Sequence, residues 1–579
     1  MKLRTLSCCT LVCCLALVTT GCATRSGSTG PASSEIPHLR KQGAATQLVV
    51  DGKPFLALTG ELSNNSATSV EYMKPIWPRL VQAKLNTALA GVSWAQIEPQ
   101  EGKFDFSALD GVIGDARSHN LHLVLLWFAS WKNGLSSYPP DWVKKDFERF
   151  PRVRTQWGKT LELITPLSDA NRDADAHAFA ALMRHVREID GQQHTVIMIQ
   201  VENEVGVLRD SRDHSDVANK AFDGPVPKEL MDYLQQHKDA LIPEFRDVWK
   251  DAGFKTSGGW EQVFGKGRPA SFEIPIRVDS PPYKPEDLES FRKLHWPVDE
   301  IFMAWHYARY VGKVAEAGKK EYNIPMYANA WLQQPNFPWP GVYPSGGPEP
   351  QVIDIWQAGA PAIDFLAPDL YLQYFAEVCA RFNRNGNPLF IPETRGGPEG
   401  AAKLLYAFGR HDAIGFSPMG IDRSTTPDDD LISSYDLITQ LAPLITEHQG
   451  KGTMSAVLLA PEDPPQKVRV GSHTVEAAYM PPRAVPGAPV PQQPLSSAAA
   501  IFISTGPDEY YVAGSGVSVT FSPNTPGPEF DGLATVEEGA FVGGRWVPGR
   551  RLAGDDTNQG QNLSLRSRGI QRVTLYRYR

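Results

Sequence analysis

The stretch TVIMIQVENE (195–204) is apolar and rich in β-branched residues until it ends on two carboxylates flanking an amide. A parallel strand buried on both faces has this composition, and polar groups at its tip mark where it leaves the core. A helical pattern, 176–189, comes just before it. The same unit recurs outward in both directions. On the amino-terminal side lie PFLALTG (54–60), NTALAGVSW (86–94) and LHLVLLWFASW (121–131). On the carboxy-terminal side lie IPMYANAW (324–331), IDFLAPDLY (363–371), NPLFIPE (387–393) and AIGFSP (413–418). Helical periodicity over 73–83, 106–119 and 301–319 falls between these runs. Eight such repeats in about 400 residues predict an α/β fold, a (β/α)8 TIM barrel. It is placed at 45–450. The long stretch between the fourth and fifth strands, 205–323, is read as an insertion on the catalytic face. It holds one predicted helix, 228–252, and the segment SGGWEQVFG (257–265).

After 450 the pattern changes. AAAIFIST, EYYVAG, VSVTFS and IQRVTLYRYR read as strands, and PPRAVPGAPVPQQP (481–494) as a Pro-rich loop. An all-β accessory domain over 451–579 follows. Its aromatics Tyr510, Tyr511, Phe541 and Trp546 are expected to pack on the barrel rather than to bind glycan.

At the amino terminus, Lys2 and Arg4 precede a short apolar run and Thr19-Thr20-Gly21-Cys22. That is a secretory signal, residues 1–21, and its ending resembles a bacterial lipobox with Cys22 as the lipidated residue. Residues 22–44 would form the lipidated Cys and a flexible linker. The expected location is the cell envelope, with membrane contact only through the lipid anchor. Five of the six cysteines crowd the first 22 residues, so Cys379 cannot build a disulfide framework or a multi-Cys metal site. The 579-residue chain carries a formal charge of -8 and shows no basic stretch, which argues against nucleic acid. No HExxH, EF-hand, P-loop or dinucleotide fingerprint is present, so no cofactor and no metal are expected. The oligomeric state is left open.

Barrel enzymes carry their chemistry at the carboxy-terminal ends of the strands. The residues there are Glu61; Trp94 and Glu98; Trp127, Ser130 and Trp131; Glu202, Asn203 and Glu204; Asn329 and Trp331; Asp369 and Tyr371; and Glu393. Carboxylates on the fourth and seventh strands among tryptophans point to glycoside chemistry, because indole faces stack on sugar C–H faces while carboxylates and amides hold hydroxyls.

IQVENEVG (199–206) resembles the acid/base motif of glycoside hydrolase family 35, the β-galactosidases. LNTALAGVSWAQIEPQEGKFDF (85–106) is similar to a second signature of that family. LFIPETRGG (389–397) resembles the nucleophile strand of the wider clan A hydrolases. The resemblance implies that Glu204 is the general acid/base, Glu393 the nucleophile, and Asn203 a partner of the substrate 2-hydroxyl. It implies a retaining exo-β-galactosidase acting on oligosaccharides, with galactosylated plant-wall xyloglucan as one substrate. Tyr371 is expected either to bond the nucleophile or to pack. Glu61 would bind a hydroxyl or support the site. Trp94, Trp131 and Trp331 are each read as core or as sugar platform, and Asn329 as a substrate contact. Glu202 alternates with Glu204, so the two carboxylates are expected on one side. Asp369 is read as structural and Cys379 as a buried small hydrophobe.

The chain departs from the family pattern at Gly60-Glu61-Leu62-Ser63-Asn64, at Gly91 in place of a galactose-binding Tyr, and at Ser130 in place of a Glu. These departures leave other clan A activities open: β-glucosidase, exo-β-glucosaminidase, β-glucuronidase and family 42-like β-galactosidase. A non-catalytic glycan-binding lipoprotein is the reading from another class.

Overall fold

The computed structural model describes residues 35–266, 298–334, 339–424, 428–481 and 497–579. The expected signal segment, Cys22 and most of the Pro-rich loop lie outside the described residues.

Eight parallel strands close a barrel: β1 (Ala57–Glu61), β2 (Thr87–Ser93), β3 (His122–Lys132), β4 (Val196–Asn203), β5 (Met326–Trp331), β6 (Phe365–Asp369), β7 (Phe390–Thr394) and β8 (Gly415–Pro418). Each pairs with its neighbour in chain order, and β8 returns to β1. The described helices include α1 (Asp169–Asp190), α2 (Lys228–Gln236), α3 (Pro243–Asp251), α4 (Val298–Glu321), α5 (Gly397–His411) and α6 (Asp429–His448).

Alternation along the strands decides what faces the barrel axis. Leu89, Val124, Leu126, Phe128, Met198, Tyr327, Phe365, Ala367 and Phe390 form one buried interior cluster. Leu48 and Val50 join it from a three-stranded antiparallel sheet (His38–Gln42, Ala45–Val50, Lys53–Phe55) that plugs the amino-terminal mouth. His38–Gln42 lies within the stretch expected to be a tether. It pairs with Ala45–Val50, and Gln42 Nε2 donates to the Thr446 carbonyl at 2.9 Å.

The single helix expected over 228–252 is two helices. Pro243 has no N–H to continue the first, and it suits the first turn of the second. Asp354 Oδ2 accepts the Ile242 N–H at 2.6 Å in the break between them. A short hairpin after β3 (Arg152–Arg154 with Thr160–Ile164) has no clear signal in the sequence.

The carboxy-terminal region is all-β, a six-stranded and a four-stranded antiparallel sheet. Strand Ala498–Gly506 is buried on both faces. Ala500 and Phe502 point into the core between the sheets, while Ala499, Ile501 and Ile503 join the barrel's hydrophobic cluster. On α5, a Cβ on Gly409 would lie 2.8 Å from Ala456 and 2.9 Å from Ile501, so only glycine permits this approach. Tyr511, Phe541 and Trp546 pack edge-on or tilted on one another against the same cluster. Tyr510 lies inside the accessory core and touches His473. Three of the four aromatics thus pack on the barrel side, whereas Tyr510, expected there too, packs inside the accessory core.

Candidate active site

The alternation that fills the barrel interior also builds its carboxy-terminal mouth. Ala57 is inside, so Thr59 and Glu61 follow on the same side. Tyr327 is succeeded by Asn329 and Trp331, and Phe365 and Ala367 by Asp369. Trp331 pairs in register with Asp369, and Asp369 with Glu393. One rung therefore carries two carboxyl groups toward the axis.

β4 ends irregularly. Glu202 and Glu204 both hold left-handed backbone, with φ of 64° and 44°. Such torsions are costly for a residue with a Cβ, and they cluster at functional sites. They turn the two side chains apart, contrary to the expectation that both lie on one side. Glu202 points outward and accepts the Ser130 and Trp131 N–H groups at 3.0 and 2.8 Å. Glu204 points into the mouth. Asn329 Oδ1 accepts the Glu204 N–H at 3.0 Å, and Asn133 Nδ2 donates to its carboxylate.

One carboxylate oxygen from each of Glu204, Asp369 and Glu393 lies within 4.8 Å of the other two. That spacing would suit a cation ligand set, and the side chain of Lys132 lies beside it. Its ammonium sits 3.8 Å from Glu393 Oε1. Tyr371 donates its hydroxyl to Glu393 Oε2 at 3.0 Å. Asn203 Oδ1 accepts from Gln200 at 3.0 Å and from Asn329 at 3.2 Å, which fixes the amide orientation. Its Nδ2 then has no hydrogen-bond partner among the described residues, nor does either carboxylate oxygen of Glu61. With Asp369 Oδ1, they are among the polar atoms left for a ligand's hydroxyls.

The charges shape one another. Burial, followed by the nearby Glu393 carboxylate, raises the Glu204 carboxyl to about 7, against the opposing pull of Lys132. Burial also holds Asp369 and Glu61 well above the usual carboxylate range, with Glu393 adding to both. Lys132 is raised too. Burial alone would lower it, but the four surrounding carboxyl groups outweigh that effect. A carboxyl group with a proton available near neutrality thus faces the Glu393 side chain across a short gap, the arrangement general acid catalysis requires.

Of the predicted site residues, Glu61, Asn203, Glu204, Asn329, Trp331, Tyr371 and Glu393 gather at the mouth. Trp94 and Trp131 do not. Trp94 is buried with its Nε1 donating to Glu98 Oε2 at 2.8 Å. Trp131 is buried on the outer side of β3, where it donates to the Ile164 carbonyl at 3.0 Å and packs edge-on to Tyr307 and Tyr310. Both are core. Ser130 also turns outward, bonding Asp175 at 2.9 Å and Tyr310 at 2.8 Å. Gly91 leaves no vacant sugar contact, because a Cβ there would lie 2.6 Å from the Asn64 carbonyl and 2.7 Å from Phe128. Asp369, read as structural, belongs to the carboxylate cluster, and the parity of Phe365 could have revealed this. Lys132 and Asn133 were not singled out in the sequence, since the irregular end of β3 hides which way they face.

Two family models match. Residues 68–264 match a β-galactosidase model (Glyco_hydro_42). Residues 431–564 match a domain of unknown function (DUF5597). A curated β-galactosidase of Xanthomonas manihotis is 31% identical over 190 residues, covering 32% of this chain and 28% of that protein. The match thus spans less than a third of the relative's length. Among solved structures, the cold-adapted β-galactosidase of Rahnella sp. R3 aligns with a TM-score of 0.42 at 15% identity, over 71% of this chain and 58% of that one. The β-galactosidase of Bacillus circulans sp. alkalophilus aligns with the same score and identity, over 67% and 56%. Residues 68–264, which span β2 to β4 and reach Glu204, are thus similar to a segment of β-galactosidase-type glycoside hydrolases.

Proposed function

We propose that the protein is a retaining exo-β-galactosidase that removes terminal non-reducing β-D-galactose from oligosaccharides. The observation that carries this reading is the pair Glu204 and Glu393, from β4 and β7, whose carboxylate oxygens approach within 4.8 Å. Retaining glycosidases place their two carboxyl groups about 5–5.5 Å apart, whereas inverting ones leave about 6.5–9.5 Å for a water.

Glu393 attacks the anomeric carbon while Glu204 gives its proton to the departing glycosidic oxygen, and the C1–O bond breaks. Water then adds to C1 and passes a proton to Glu204. The ester bond to Glu393 breaks, releasing galactose and restoring both groups. Tyr371 holds one Glu393 oxygen, leaving the other as the nucleophile. Asn203 Nδ2 faces the 2-hydroxyl, and Glu61 and Trp331 complete the sugar subsite. The mechanism is common to clan A, so it does not depend on whether the chain falls nearer family 35 or family 42.

Glycans reach such an enzyme at the cell envelope, where the signal and Cys22 would anchor it; xyloglucan side chains are the natural substrate proposed. Glu204→Gln and Glu393→Gln should each abolish hydrolysis of an aryl β-galactoside without loss of fold. Near-normal turnover by either variant rejects the assignment. A panel of aryl glycosides, run beside galactose release from a xyloglucan oligosaccharide, tests the sugar.

A further inference from the structure

Lys132 is the last residue of β3 and pairs in register with Asn203. β3 pairs regularly with β2 through Phe128, and its pairing with β4 breaks register between Trp127 and Lys132. Ser130 and Trp131 both turn outward in that break, their N–H groups held by Glu202, and Lys132 returns to the axis. Its side chain is 6% exposed. Phe128 lies beneath the ammonium, 4.8 Å away at the ring centre. Its ion pair among the described residues is with Glu393, not Glu204. The groups facing it come from around the barrel: Glu61 on β1, Glu204 after β4, Asp369 on β6, Glu393 on β7, and Tyr138 in the loop after β3. Tyr371 bonds Glu393 beside it, and Arg423, after β8, acts on Glu61.

Two carboxyl groups this close resist joint ionisation, but closeness alone does not decide which keeps the proton. An ammonium beside one of them does. We propose that Lys132 is a positioning residue of the hydrolytic reaction, the counter-charge that keeps Glu393 anionic while Glu204 carries the proton. This rests on the function proposed above. The same charge serves the second step. Once Glu393 is a neutral ester, Lys132 is no longer balanced by it and its field falls on Glu204. That favours the ionised form of Glu204, which must take the proton from water.

The test is the pH profile of kcat/KM on an aryl β-galactoside for wild type, Lys132→Met and Lys132→Arg, with folding checked by circular dichroism. Removing a positive charge makes every carboxyl group around it harder to ionise. Lys132→Met should therefore move the whole bell alkaline by about one pH unit and lower its maximum about tenfold, because the shared proton no longer favours Glu204 over Glu393. Lys132→Arg should keep the wild-type profile, which a purely packing role would not predict for the larger head group. A folded Lys132→Met enzyme with an unshifted profile overturns the proposal while leaving the hydrolase reading intact. If Lys132→Met does not fold, Lys132→Gln takes its place with the same two outcomes. Absence of wild-type turnover on every aryl glycoside would sink both readings.

Discussion

Glu202 and Glu204 are two residues apart on one strand end and serve opposite sides of the barrel wall. Glu202 holds the backbone of β3 from outside the mouth, and Glu204 enters it. The left-handed torsions at both residues make the divergence possible.

Exchanging either residue separates the two roles. Glu202→Ala strands the buried N–H groups of Ser130 and Trp131 and should cost about 2–5 kcal/mol. Thermal melting would show a clear fall. Glu204→Gln should do the reverse, abolishing turnover without lowering the melt.

The raised Glu204 carboxyl has consequences for stability as well as rate. Its folded value of about 7 lies above the ordinary value of 4.5. The stabilisation from holding this proton is complete below 4.5, and is lost as pH rises through 7. Above pH 7 the native state carries an ionised, buried carboxylate that it disfavours. Glu204→Gln should therefore melt higher than wild type at pH 8, with the gap closing at pH 4. Wild-type kcat/KM should decline above about pH 7 as the acid loses its proton.

Tyr371 is 37% exposed and contributes one hydrogen bond to Glu393. Tyr371→Phe should lower kcat/KM about 10–100-fold, since a hydrogen bond to a charged group is worth about 1.5–3 kcal/mol. Its melting temperature should barely move.

The tryptophans divide by location. Trp131→Ala removes a fully buried indole and should destabilise by about 3–5 kcal/mol. Trp331→Ala, at the mouth, should raise KM for the glycoside with little change in melting. Calorimetry beside steady-state kinetics distinguishes the two.

The barrel was legible in the sequence because each strand is a buried apolar run with a polar tip, and this period survives any change in the loops. Glu204 and Glu393 stood out because they close such runs. What stayed hidden depended on irregular backbone. No periodicity announces two consecutive outward residues at Ser130 and Trp131, so Lys132 was missed and Trp131 was assigned an open role. Strand parity, applied strictly from Phe365, would have placed Asp369 at the mouth. The break at Pro243 was visible in principle, since proline rarely continues a helix.

The close approach at Gly409 bears on how the molecule comes apart. Ile501 and Ala456 fill the space a side chain would need, and Ile503 and Tyr511 extend the same apolar cluster into the barrel. Peeling the β region away would uncover this shared core before either part had melted. The barrel and the β region therefore behave as one cooperative unit on heating, with a single calorimetric transition rather than two. Damage to the accessory region would reach the active site as a loss of folded protein, with kcat unchanged in what survives.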